Sequence, residues 1–209
     1  MDDLVKHGNP TMPLPERIFN ILLGLSIISW AVLGFFSTDQ PNPTTVRVCI
    51  VSLHLTVAVF ILLRSGVKTN GSLSACATAL PAVLIGGWAF VYSPEQWHSA
   101  SQVILVLGTV VTITSVCCLG KSFAILPAFR QLVDSGPYRL IRNPIYLGEL
   151  LMVCGFCFAE IHWQGFLIAS GAIAFVAVRI VAEENLLGSA SEYLKYREKV
   201  KWRLVPGLW

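Results

Sequence analysis

Charge is scarce in this sequence: Asp, Glu, Lys and Arg make up 13% of its 209 residues, while 55% are apolar. Soluble domains carry about 25% charged residues, so an ordinary water-facing surface is excluded and an integral membrane protein is indicated. Also missing is the alternation of apolar and polar residues along ten-residue segments that a membrane barrel needs. The apolar residues come in continuous blocks, which leaves helices. No internal repeat or low-complexity linker is visible, and no stretch is left over for a separate soluble domain. The six cysteines (Cys49, Cys76, Cys117, Cys118, Cys154, Cys157) all fall inside apolar runs, which argues against a disulfide framework or a zinc site. Cys154-Gly155-Phe156-Cys157 has redox-motif spacing but reads as small buried residues within a span. The closing Pro206-Gly207-Leu208-Trp209 carries no prenylation motif, so the chain does not read as a lipidated substrate. Nucleic-acid binding has no support, because no recognition module accompanies the basic residues.

What is present is a series of apolar runs at 18–36, 48–63, 74–92, 103–119, 145–159 and 166–182. As helices they reach roughly 20–30 Å, enough to cross or nearly cross a bilayer. The expected fold is therefore an all-α integral membrane protein of about six transmembrane helices. The first run is too long for a signal peptide's apolar region and lacks a cleavage site, so it is expected to stay. Under this reading Arg47 alone, of 15 basic residues, lies on one side. The positive-inside rule then places both termini, the 64–74 loop and the 120–144 segment in the cytoplasm. Asn70-Gly71-Ser72, a glycosylation pattern, would face that side and is discounted. The basic face could also meet anionic membrane lipids.

The chain reads as one membrane domain over 1–209, with four bland spans in 18–119 and a polar-rich region in 120–209. Residues 121–135 suit an amphipathic connector in the interface. Ser135-Gly136-Pro137 signals a turn, and Asn143-Pro144 a helix start with Asn as cap and Pro at the first helical position. The short 160–165 turn makes spans five and six a tight antiparallel hairpin. Ser189-Ala190-Ser191-Glu192 has capping-box spacing ahead of a short amphipathic helix, 193–200, able to fold over the hairpin mouth.

The hairpin gathers cations (Arg139, Arg142, Arg179), carboxylates (Glu149, Glu183, Glu184), phenols (Tyr138, Tyr146, Tyr193, Tyr196) and a helix N-terminus. Such a pocket suits a ligand carrying both signs of charge: free N–H groups for a carboxylate, carboxylates for an ammonium or sulfonium. Plainer explanations exist for some members. Arg139 would serve as a topology anchor, and Arg179 with Glu183 is a sufficient i,i+4 ion pair. His54 reads as a hydrogen-bonded packing residue, and Glu160, His162 and Trp163 as an interface cluster.

The order Gly136-Pro137-Tyr138-Arg139, Arg142-Asn143-Pro144, Tyr146, Gly148, then Arg179, Glu183-Glu184, Tyr193, Tyr196 and Arg203-Leu204-Val205-Pro206 resembles the isoprenylcysteine carboxyl methyltransferase family and its phospholipid methyltransferase relatives. The resemblance covers about 120–209; spans one to four add nothing to it. It implies S-adenosylmethionine as methyl donor from the cytoplasm, with S-adenosylhomocysteine as product, and a lipophilic acceptor arriving laterally from the bilayer. By position it assigns Tyr138, Asn143, Pro144, Tyr146, Gly148, Glu183, Glu184 and Tyr196 to the donor pocket, and Arg142 and Arg179 to the acceptor. The family often has His before the proline, whereas Asn143 cannot titrate, so proton shuttling there is in doubt and binding is not.

A carboxylate acceptor, pKa about 3.5, is already nucleophilic at neutral pH and needs only alignment. Arginine suits that task because its planar fork binds carboxylates and stays charged. The favoured expectation is thus O-methylation of a lipophilic carboxylate such as that of a C-terminal S-isoprenylcysteine. A lipid-amine N-methyltransferase, with Glu149 or Glu184 as base, is the alternative. A sterol reductase would require a longer chain with a nicotinamide site. A non-enzymatic transporter or scaffold would place its polar residues near the bilayer midplane.

Overall fold

The structure, a computed structural model, describes residues 14–36, 42–63, 69–70, 94, 96–123, 128–129, 132–159 and 161–209. Six α-helices lie among them: α1 Leu14–Phe36, α2 Thr44–Leu63, α3 Ser99–Leu119, α4 Pro144–Ala159, α5 Trp163–Leu187 and α6 Ser191–Lys199. Short 3-10 turns occupy Gly120–Ser122 and Gly136–Arg139, and Thr69–Asn70 pairs antiparallel with Ala128–Phe129. The fold is all-α, as the block pattern requires: within a bilayer only a helix satisfies a lone segment's backbone. Among the described residues three helices, Thr44–Leu63, Ser99–Ser122 and Trp163–Leu187, are long and apolar enough to cross a membrane. Asn20–Leu33, within α1, and α4 are shorter apolar helices. The expected span at 74–92, with Cys76, lies outside the described residues, as do Glu160 and parts of the 121–135 connector.

The most intimate packing is between α3 and α4, which run antiparallel. Gly148 backs onto Gly108 and Thr112, and Gly155 onto Leu105 and Ser101. Hydroxyls on this face are satisfied within α3, Thr109 Oγ1 donating to Leu105 O and Thr112 Oγ1 to Gly108 O, each at 2.9 Å. Small, internally satisfied residues let two backbones approach without stranding a polar group. The sequence reading put the tight partnership between α4 and α5 instead. That hairpin forms, but α5 meets the start of α4 through bulkier Val176 and Ile180, packed on Tyr146.

The helix directions are those a six-span order needs. Val46 and Cys49 of α2 pack with Leu105 of α3 and Phe156 of α4 at one end. Ile61 of α2 packs with Val116 of α3 and, more loosely, Leu23 of α1 and Ile145 of α4 at the other. So α2 and α3 are parallel, and α4 runs against them. Arg47 lies at the first end, its Nε donating to Asn42 O at 3.1 Å. The opposite end holds Arg142, Arg179 and the turn of 136–139.

One local expectation fails. The capping box does not form: Ala190 takes the cap position of α6 with no side-chain cap bond, and Ser189 Oγ donates back to Leu186 O at 3.0 Å. Because α5 runs on to Leu187, Ser189 falls among that helix's unpaired final carbonyls and serves them instead.

Candidate functional site

The site begins where the 136–139 turn settles on the end of α3. Gly136 has φ +58°, and a Cβ there would come within 2.5 Å of Cys118 Sγ, so glycine is needed for both conformation and space. This seats the Tyr138 side chain in the interior. From α6, which folds back as expected, Tyr196 donates its hydroxyl proton to Tyr138 O at 2.7 Å. Burial pushes both phenols well above their ordinary pKa, with the neighbouring phenol adding to the effect in each case: Tyr196 beside Tyr138, and Tyr193 beside Tyr196. Neutral phenols suit a structural rim.

Near the end of α5, Glu183 and Glu184 are adjacent in sequence, so they project about 100° apart around the helix. They serve different clusters. Glu183 Oε1 accepts from Tyr146 OH at 2.5 Å and from Arg179 Nε at 3.2 Å, while the Arg179 guanidinium lies 5.2 Å from the centre of the Tyr146 ring. Glu149 is within electrostatic reach of both Arg179 and Glu183. The i,i+4 ion pair therefore exists, as part of a larger group on α4 and α5.

Glu184 is the hub of the second cluster. Its Oε1 lies 3.2 Å from Arg142 Nε and 3.5 Å from Asn143 Nδ2, and its Oε2 accepts from Arg203 Nε at 2.9 Å. Tyr193 also hydrogen-bonds it, and burial, with Glu184 beside it, pushes this phenol up to about 12. The Arg142 and Glu184 side chains are each only 6% exposed. Such a pair keeps its charge only because the partners are matched and further hydrogen bonds surround them. Arg142 Nε is buried and faces Glu184 as an ion pair rather than as a well-aligned hydrogen bond.

The tail after α6 closes over this cluster. Arg142 N–H donates to Trp202 O at 2.9 Å, and Asn143 donates twice to Arg203 O, through backbone N and Nδ2, each at 3.0 Å. The free N–H groups expected ahead of α4 are thus partly taken by the tail. Asn143 binds through its amide, in keeping with a residue that cannot titrate.

Of the residues singled out from the sequence, Arg142, Asn143, Tyr146, Arg179, Glu183 and Glu184 come together. Pro144 is buried at the first position of α4. Tyr138 and Tyr196 form the rim, and Arg139 is exposed, as a topology anchor would be. Gly148 faces α3, its Cβ direction filled by Thr112. Arg203 was missed as a site residue; the only signal was its place in the closing Arg-Leu-Val-Pro motif.

With this geometry, known families can be compared. Residues 97–190 match the phospholipid methyltransferase family model. The phospholipid methyltransferase match is consistent with the wider group of membrane methyltransferases. It starts just before α3, upstream of the boundary at 120 read from the sequence, and so takes in the helix that packs most closely on α4. It stops at Ala190, leaving α6 and the tail with Arg203 beyond it. No curated protein matches the chain.

Proposed function

We propose that the chain is an S-adenosylmethionine-dependent membrane methyltransferase acting on a lipid acceptor, and that the acceptor group is a carboxylate, such as that of a C-terminal S-isoprenylcysteine. The observation that carries the acceptor assignment is the buried Arg142 guanidinium, held at the start of α4 by Glu184, a planar cation of the kind that binds carboxylates.

The donor fits the same residues. Three guanidinium groups (Arg142, Arg179, Arg203) and three carboxyl groups (Glu149, Glu183, Glu184) offer partners of both signs to a molecule bearing ammonium, sulfonium and carboxylate, whose net charge of +1 a carboxylate acceptor would offset. S-adenosylmethionine supplies an electrophilic methyl group when bound. The chain aligns the acceptor oxygen, keeps water out with the Tyr138–Tyr196 rim, and needs no general base because a carboxylate is already ionised. The site end of the bundle, rich in Lys and Arg, is assigned to the cytoplasm by the positive-inside rule.

A second reading, methylation of a lipid amine, is favoured by the family match at 97–190 and by Glu149, which would take the proton an ammonium must lose. Transfer of labelled methyl from S-adenosylmethionine to a farnesylated cysteine, a phosphatidylethanolamine and an isoprenoid acid decides between them. Label on the farnesylated cysteine supports the first reading, and label on phosphatidylethanolamine alone replaces it with the second. Titration of the folded protein in detergent with S-adenosylhomocysteine tests both, since no binding would remove the donor.

A further inference from the structure

Arg203 lies on the tail after α6, outside the matched stretch. Its Nε donates to Glu184 Oε2, and its guanidinium lies 5.4 Å from the centre of the Trp209 ring. Its carbonyl takes both donors of Asn143, and its own N–H donates to Trp209 O at 2.9 Å. One residue therefore ties the end of α5, the start of α4 and the end of the tail. Its backbone and side chain hold opposite sides of the polar cluster.

We propose that Arg203 is a positioning residue: by bonding Glu184 it pins the tail across the start of α4 and fixes Arg142 for the acceptor and Asn143 for the donor. The proposal rests on the methyl-transfer reading above. It also separates the two adjacent carboxylates. The oxygens of Glu184 are engaged by Arg142, Arg203, Asn143 and Tyr193, so Glu184 is an anchor. Glu183, engaged by Tyr146 and Arg179, is the carboxylate closer to ligand chemistry. Lysine could replace the charge of Arg203 but not a planar group that bonds a carboxylate while stacking on an indole.

The test compares Arg203→Ala and Arg203→Lys with the unaltered full chain in lipid nanodiscs, using Lys201→Ala as a neighbouring exposed control. Two quantities are read: amide hydrogen exchange across residues 140–147, and kcat with acceptor KM from labelled S-adenosylmethionine. Arg203→Ala is expected to raise exchange at Arg142 and Asn143 while α3 stays protected. It is also expected to lower kcat about a hundredfold, the scale of a misplaced reacting group, with a smaller change in KM. Arg203→Lys should fall between the two, and Lys201→Ala should match the unaltered chain. Raised exchange with unchanged kcat overturns the proposal, as does exchange rising equally in α3, which would mark general loosening. Should Arg203→Ala fail to fold, Arg203→Lys decides, and unaltered kcat in that variant is the overturning result. If the unaltered chain methylates nothing, the methyl-transfer reading falls. The exchange measurement then still decides whether Arg203 holds the turn.

Discussion

Gly148→Ala separates two explanations of one residue. Family resemblance puts Gly148 in the donor pocket, whereas the structure puts it against α3. An added Cβ would collide with Thr112 Oγ1, and it would lie 2.7 Å from Gly108 O and 2.9 Å from Thr112 N, where ordinary contact begins at 3.4 Å. Two of these three atoms are backbone, so rotamer changes cannot relieve the clash and the helices must separate. Overpacking of this kind costs about 1–3 kcal/mol. Opposing it is the gain in helix propensity on replacing glycine with alanine, about 0.8–1.0 kcal/mol. With backbone on the far side the upper part of the clash range applies, leaving a net destabilisation of about 1–2 kcal/mol. Thermal unfolding in detergent, followed by circular dichroism, should show a loss of a few degrees. Thr112→Ala in the same background should recover part of it, because the hydroxyl contact goes and the backbone contacts stay. Affinity for S-adenosylhomocysteine below the unfolding range should be nearly unchanged. Lost affinity with undiminished stability would refute the packing assignment and return Gly148 to the pocket.

Glu184→Gln leaves two arginines facing a neutral amide, one of them buried, and should cost about 3–5 kcal/mol, read as a sharp fall in folded protein on size-exclusion chromatography. Glu183→Gln leaves the buried Arg179 with Glu149 nearby, so it should destabilise less than Glu184→Gln and show its main defect in S-adenosylhomocysteine binding. Arg179→Ala should keep donor affinity and lose turnover by about a hundredfold or more; lost donor affinity instead would mean its role is misassigned. Tyr193 has its folded-state pKa raised from 10.0 to about 12. The stability it contributes is therefore complete below pH 10 and is lost as pH climbs toward 12. Tyrosinate absorbance of the native protein should lag that of the denatured chain across that window. Ser189→Ala should change stability by less than about 0.5 kcal/mol, where loss of a working N-cap would cost about 1 kcal/mol.

The helices were legible because a bilayer demands long apolar blocks, and the blocks are there. Arg179 and Glu183 were legible as a pair because the 3.6-residue period sets them on one face. The α3–α4 interface was not: Gly108, Gly148 and Gly155 have no side chains to announce a partner, and α3 read as bland for the same reason. Ser189 misled because its spacing to Glu192 is a local signal, and the extension of α5 to Leu187 overrode it. Arg203 was hidden because its importance comes from a tail that doubles back. No pattern within residues 200–209 shows that their carbonyls will be spent on Arg142 and Asn143.

The shortness of α4 has a consequence for where chemistry meets lipid. Its 16 residues give about 24 Å of helix, while a bilayer's hydrocarbon is about 30 Å thick. A helix that falls short pulls headgroups inward or leaves its polar end below their plane. Were its far end at the opposite boundary, the start of α4 would sit several ångströms beneath the surface. An acceptor could then present its reactive group to Arg142 with its chain still dissolved in the membrane. Under the proposed function, the length of one helix would thus set how far a substrate must rise, and lengthening α4 by a turn would move the site away from a lipid acceptor.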